Sequence, residues 1–181
     1  MRKILTLGLT VLALSAAATP ALAADYDESK LSAAIESGDL QFAPAPSDVA
    51  FEAIRITGRP EVTSGTFKGF GVVDARGTGA GYHLTLQASR FESPAGVLPA
   101  DSLLVGEADI RAGRGVDATA PTWTGDRTID NAKGAVVLTA DVDAGMGLFN
   151  IEESVMRLAI PASVKAGAYT SVLQATLVTG P

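Results

Sequence analysis

Between Tyr82 and Gln87 the chain alternates Tyr82, Leu84 and Leu86 with His83, Thr85 and Gln87. A period of two confines the segment to a β-strand with one buried face. Just upstream, Gly77, Gly79 and Gly81 supply turn conformations closed to residues that carry a Cβ. Further upstream, Val72 and Val73 favour an extended backbone. Phe70 to Leu86 therefore reads as two strands joined by a glycine-rich connection. The glycines do not make a phosphate cradle. Their spacing is G-x-G-x-G, and a strand follows where a dinucleotide or P-loop site needs a helix N-terminus to meet phosphate.

The same punctuation recurs along the chain. Leu40-Gln41-Phe42 starts an extended segment that Pro44 and Pro46 break. Asp48 to Ile56 alternates, with a bulge where Ile56 falls out of phase. Thr85 to Arg90 finishes a strand, Pro94-Ala95-Gly96 turns the chain, and Leu103 to Ile110 is a further strand. Arg111 to Asp126 reads as a long loop carrying the only tryptophan, Trp123. Ala135 to Ala140, Leu148 to Ile151 and Val155 to Ile160 are strands, with a glycine turn at Asp143 to Gly147. Tyr169 to Val178 closes the series, with Tyr169, Ser171, Leu173, Ala175 and Leu177 on one face. Short strands separated by Gly and Pro, with almost no helical period, predict an all-β fold. The expected form is a single antiparallel β-sandwich of the immunoglobulin-like, Greek-key type.

The N-terminus carries a different signal. Met1-Arg2-Lys3 is cationic, Ile4 to Ala18 is apolar, and Ala21-Leu22-Ala23 offers a small-x-small cleavage site. This pattern predicts a secretory signal peptide over residues 1–23, cleaved after Ala23. Pro20 arrives too soon for a retained anchor, which needs about 20 apolar residues, so no membrane insertion is expected after cleavage. Residues 24–39 form a tail, or a short helix with Leu31, Ala34 and Ile35 on one face, and residues 40–181 form the sandwich domain. Without residues 1–23, 12 basic and 20 acidic side chains remain. That balance argues against nucleic acid and anionic lipid as partners. With no cysteine, stability must come from the core.

Val73-Asp74-Ala75-Arg76-Gly77-Thr78-Gly79-Ala80-Gly81-Tyr82 resembles the D-x-R-G…G-W element of the WxL domain, a cell-surface domain of Gram-positive bacteria. Leu158-Ala159-Ile160-Pro161 through Ala166-Gly167-Ala168-Tyr169 to Leu173 resembles that family's closing L-x-V-P…A-G-x-Y-x-x-x-L segment. Asp143-Ala144-Gly145-Met146-Gly147 sits where the family often has a G-x-G turn. The similarity spans about Leu40 to Pro181. At the two tripeptides that name the family this chain has Tyr82-His83-Leu84 and Ala175-Thr176-Leu177, so both tryptophans are replaced. The resemblance implies a secreted β-sandwich that attaches non-covalently to peptidoglycan or another wall polymer. Tyr82, Leu84, Thr176 and Leu177 would serve as contact, or support of contact.

Catalysis finds little footing. His83 is the only histidine, lies mid-strand, and stands away from any G-x-S-x-G elbow. It reads as a satisfied or solvent-facing strand residue. Zinc wants several His or Cys ligands. Asp141-Val142-Asp143-Ala144-Gly145 echoes the start of a calcium loop but lacks the later ligands, so a solvated turn is the reading. Adjacent Glu152 and Glu153 would face opposite sides of a strand and cannot act as a carboxylate pair. Asp74 and Arg76, two apart in extended chain, share a face and would brace the glycine connection. The expectation is a non-enzymatic cell-surface protein without cofactor or metal. The alternative is a self-associating or partner-binding subunit of an extracellular surface assembly, built by strand addition.

Overall fold

In the computed structural model three long stretches of chain share one register. Residues 61–74 run antiparallel to residues 147–160, from Glu61 opposite Ile160 to Asp74 opposite Gly147. Residues 103–112 flank the second stretch on its other side, with Leu103 opposite Leu158 and Ala112 opposite Phe149. All three are interrupted at one level, around Gly69, Gly106 and Glu152. A Cβ on Gly69 would lie 2.7 Å from the Ile151 carbonyl, and one on Gly106 2.7 Å from that of Val155. Glycine therefore lets the backbones approach closely where the pleat breaks.

The structure describes residues 32–181. Among them there is no helix, and fourteen strands run in antiparallel sheets. In chain order they are β1 (Leu40–Phe42), β2 (Glu61–Phe67), β3 (Phe70–Asp74), β4 (Tyr82–Ala88), β5 (Glu92–Ser93), β6 (Gly96–Val97) and β7 (Leu103–Val105). There follow β8 (Ile110–Ala112), β9 (Thr122–Trp123), β10 (Arg127–Thr128), β11 (Ala135–Ala140), β12 (Gly147–Ile151), β13 (Ser154–Ile160) and β14 (Leu173–Thr179). The interruptions divide the three long stretches into two sheets, β1-β3-β12-β8 and β10-β7-β13-β2. A third sheet has the order β14-β4-β11-β9, and β5 with β6 forms a small hairpin. The glycine connection joins β3 to β4, which belong to different sheets, so it is a crossing and not a hairpin.

Residues 36–181 make one compact unit. The signal-peptide assignment and the first part of the tail, residues 1–31, lie outside the described residues. Residues 32–39 carry no helix.

One core takes side chains from every large sheet. Phe67, Phe70 and Val72 come from the long stretches, Tyr82, Leu84 and Leu86 from β4, and Leu138 from β11, all fully buried. Phe70 is its hub, with ring centroids 5.5 Å from Phe67, 6.0 Å from Phe42 and 6.4 Å from Trp123. Such ring pairs contribute about 0.5–1.5 kcal/mol each beyond the area they bury.

Four sequence expectations need correction here. The closing strand runs from Leu173 to Thr179 and not from Tyr169, because Thr170 bridges to Glu92 before the chain joins β4. Arg111 to Asp126 is not one long loop, because β8 ends and β9 lies within it. Trp123 sits in β9 opposite Leu138 and donates its indole N–H to the Gly106 carbonyl at 3.0 Å. Leu103 to Ile110 is two strands parted at 106–109. Asp48 to Ile56 gives no strand; Phe51 bridges to Gly65, the Glu52 amide donates to the Ser64 carbonyl, and the Glu52 carbonyl accepts from the Thr63 hydroxyl.

The sheet edges meet on one side and part on the other. Ile129, just after β10, accepts from the Ala88 amide at 2.8 Å and donates to the Leu103 carbonyl at 3.0 Å. It thereby links the β4 sheet to the β7 sheet. On the far side, among the described residues, no such link joins β14 to the segment beside β2, and a groove of about 810 Å³ is lined by residues of both.

Candidate functional site

The glycine connection is braced as the sequence predicts. Gly77, Gly79 and Gly81 all have positive φ. The Arg76 guanidinium donates to both carboxylate oxygens of Asp74, at 2.9 and 2.8 Å. It also donates to the Gly81 carbonyl at 2.9 Å and to Thr179 Oγ1 at 2.8 Å. One side chain thus ties the end of β3, the connection and the end of β14 together. The Asp74 side chain is buried and that of Arg76 nearly so. Hydrogen bonding from Arg76 holds the Asp74 carboxyl below the usual carboxylate range against the opposing effect of burial. The same bond raises Arg76. At neutral pH this is a closed ion pair, with no proton poised to move.

Tyr82 lies beside it, fully buried. Burial first, and then the Asp74 negative charge, push its phenol up to about 12. Among the described residues its hydroxyl has no hydrogen-bond partner. Gly145 makes room for the ring. It has φ of 73°, and a Cβ there would lie 2.7 Å from Tyr82 Cε1 and 2.6 Å from the Ala140 Cβ. The Asp143 amide donates to the Gly79 carbonyl at 2.8 Å, so the two glycine turns touch. His83 faces the other way. Its Nδ1–H donates to the Gly180 carbonyl at 2.8 Å, which fixes the tautomer because a carbonyl only accepts.

The structure brings the two tripeptides together. β4 and β14 pair along their length, with Leu84 opposite Leu177, Thr85 opposite Thr176 and Leu86 opposite Ala175. Their exposures differ. Tyr82 and Leu84 present no surface, Leu177 is half-buried, and Thr176 is exposed. On the outer face of the pair stand His83, Thr85 and Gln87 against Val178, Thr176 and Gln174. Neither strand contains an aspartate, glutamate, lysine or arginine. Gln87 is partly engaged, donating to the Asn131 and Ala132 carbonyls.

Beneath β14 opens the groove. Phe42, Val49, Phe51, Phe91, Leu173 and Ala175 are among the residues that line it, and the Phe51 and Phe91 rings meet edge to face at 5.7 Å. Sequence reading had no access to it, since its walls come from segments far apart in the chain. Gly145 was legible only as a turn residue; that it seats Tyr82 follows from the sheet pairing. Among the described residues no three His, Cys, Asp or Glu side chains are grouped to hold a metal ion. Asp141 and Asp143 are exposed.

No family model, curated protein or solved structure matches this chain.

Proposed function

We propose that the protein is a non-enzymatic, exported surface protein. On this reading its sheets form a single immunoglobulin-like sandwich, and it associates non-covalently with the cell wall in the manner of the WxL domains it resembles. The observation that carries this is the outer face of β4 and β14. Thr85, Thr176 and Gln174 present hydroxyl and amide groups on a regular pleated surface, and neither strand contains an aspartate, glutamate, lysine or arginine. Such groups hydrogen-bond sugar hydroxyls and amides without paying for the desolvation of an ion. Tyr82 and Leu84 support the face from beneath, and Leu177 packs at its rim. The shared core and the Ile129 link between sheet edges favour the sandwich.

Sedimentation with purified peptidoglycan tests the reading. The exported protein should pellet with the polymer. The doubly substituted Gln174→Ala, Thr176→Ala protein, folded by circular dichroism, should bind about thirtyfold more weakly, at about 1 kcal/mol for each lost bond. A soluble fraction unchanged by added polymer sinks the proposal.

A further inference from the structure

β14 has one partner. It pairs with β4 from Leu173 to Thr179, and among the described residues no strand lies along its other edge. Backbone groups of an antiparallel strand point alternately to its two sides. The Val172 carbonyl accepts from the Ser89 amide, and the Gly180 amide donates to the Gly81 carbonyl. The even-numbered residues therefore turn their backbone groups toward β4. Leu173, Ala175, Leu177 and Thr179 turn theirs to the open side.

Sheet edges that must stay single usually carry a lysine, a proline, a bulge or an inward charge. Leu173-Gln174-Ala175-Thr176-Leu177-Val178-Thr179 has none of these, and its register with β4 is unbroken. Both ends of the strand are fixed. Arg76 and His83 hold Thr179 and Gly180, and Ser89 Oγ accepts from the Val172 amide. The edge is unbroken in register, fixed at both ends and open.

We propose that β14 pairs antiparallel with β14 of a second copy, about a two-fold axis at Thr176. A two-fold axis at any residue of the strand sets odd-numbered residues opposite odd-numbered ones, so the open-side groups of the two strands meet in register, and Thr176 is the midpoint of the strand. Centring on Thr176 uses all four open-side residues: Leu173 faces Thr179 of the second copy, and Ala175 faces Leu177. Each of these narrow pairs exchanges two hydrogen bonds. On the outer face Thr176 meets its own symmetry mate, and Gln174 meets Val178. No like charges oppose one another, although the chain as a whole is acidic. On the inner face, Ala175 leaves space for the Leu177 side chain opposite. The second copy caps Leu173 and Leu177, which the monomer leaves half exposed, and extends the β14-β4-β11-β9 sheet through both molecules. This pairing is independent of attachment to a wall.

A charge-swap experiment reads the register. The exported protein should show a concentration-dependent dimer in analytical ultracentrifugation. Thr176→Lys and Thr176→Glu each place like charges on the axis and should each weaken the dimer tenfold or more, by about that factor at least. Mixing the two variants should restore a dimer containing one of each. Gln174→Lys with Val178→Glu in the same chain sets opposite charges face to face and should retain the dimer. Thr176 is exposed in the monomer, so at concentrations too low for the dimer the variants should keep the wild-type unfolding midpoint. A wild type that stays monomeric up to about 1 mM overturns the pairing. So do lysine and glutamate variants that dimerise as the wild type does, or loss of the dimer only when residues 24–35 are deleted. A monomer that still sediments with peptidoglycan overturns the pairing alone; a dimer that ignores peptidoglycan overturns wall attachment alone.

Discussion

β4 and β14 are neighbours over seven residue pairs, and both alternate apolar with polar side chains. Yet every second residue of β4 is buried, while β14 has no buried residue at all. The difference lies in what flanks them. β4 has β11 on its other side and Phe70, Leu138 and Gly145 near its inner face; β14 has an open edge and a groove. A period-two pattern therefore reports that one face is turned inward. How deeply it is covered depends on strands contributed from elsewhere.

Truncation should expose this contrast most strongly. Tyr82→Ala or Leu84→Ala leaves a cavity in a fully packed site and should cost about 3–5 kcal/mol in urea unfolding. Leu177→Ala, directly opposite Leu84, should cost about 1–2 kcal/mol because half its surface is already in water. Equal losses at Leu84 and Leu177 would show that β14 is covered in solution.

Next comes the brace that fastens β14 to the connection. Asp74→Asn leaves Arg76 without its buried counter-charge and should cost about 3 kcal/mol. The folded-state pKa of Asp74 is depressed, so its contribution is present above the unfolded carboxylate value of about 3.9 and fades as pH falls through the lower folded value. Urea midpoints of the wild type should drop through that acidic window. Those of Asp74→Asn should drop less.

The glycines separate a packed turn from an open one. Gly145→Ala meets both positive φ and the Tyr82 ring, and should cost about 2–3 kcal/mol. Gly77→Ala has the same sign of φ with nothing within 4 Å, and should cost about 1 kcal/mol. The smallest effect is expected for Tyr82→Phe. It removes a hydroxyl that bonds to nothing, and should change stability at neutral pH by under about 1 kcal/mol, in the stabilising direction. The phenol is raised in the folded protein, so wild-type stability should decline as pH climbs from about 10 toward about 12. Tyr82→Phe should lack that alkaline loss, measured by denaturant midpoints across the same range.

Much of the strand pattern was legible from residue order. Ala135 to Ala140 forms β11 with those bounds, and Met156 and Leu158 are the buried half of β13 as their alternation with Val155, Arg157 and Ala159 requires. The Asp74–Arg76 pair followed from two residues sharing a face of extended chain. Glu61-Val62-Thr63-Ser64-Gly65-Thr66-Phe67 escaped notice as a strand. Its small polar residues give little apolar signal, and it is held in place by β13 opposite. β9 and β10 are two residues each, too short to show any period. Nor did sequence reveal that Tyr82 and Leu84 lie under a surface instead of on it. That depends on Gly145, some sixty residues downstream, vacating space for the ring. The groove was equally hidden, since no local pattern encodes which edges stay apart.

Arg76 reaches Thr179 across 103 residues of chain, and His83 reaches Gly180 across 97. Bonds between such remote positions cannot form until the intervening polypeptide has been drawn in, so the entropy of closing large loops falls early on the folding route. Chains wired this way collapse and order in milliseconds to seconds, not microseconds. During that interval the unoccupied margin of β4 lies bare, and whatever strand reaches it first, its own or a neighbour's, decides between a monomer and a tangle.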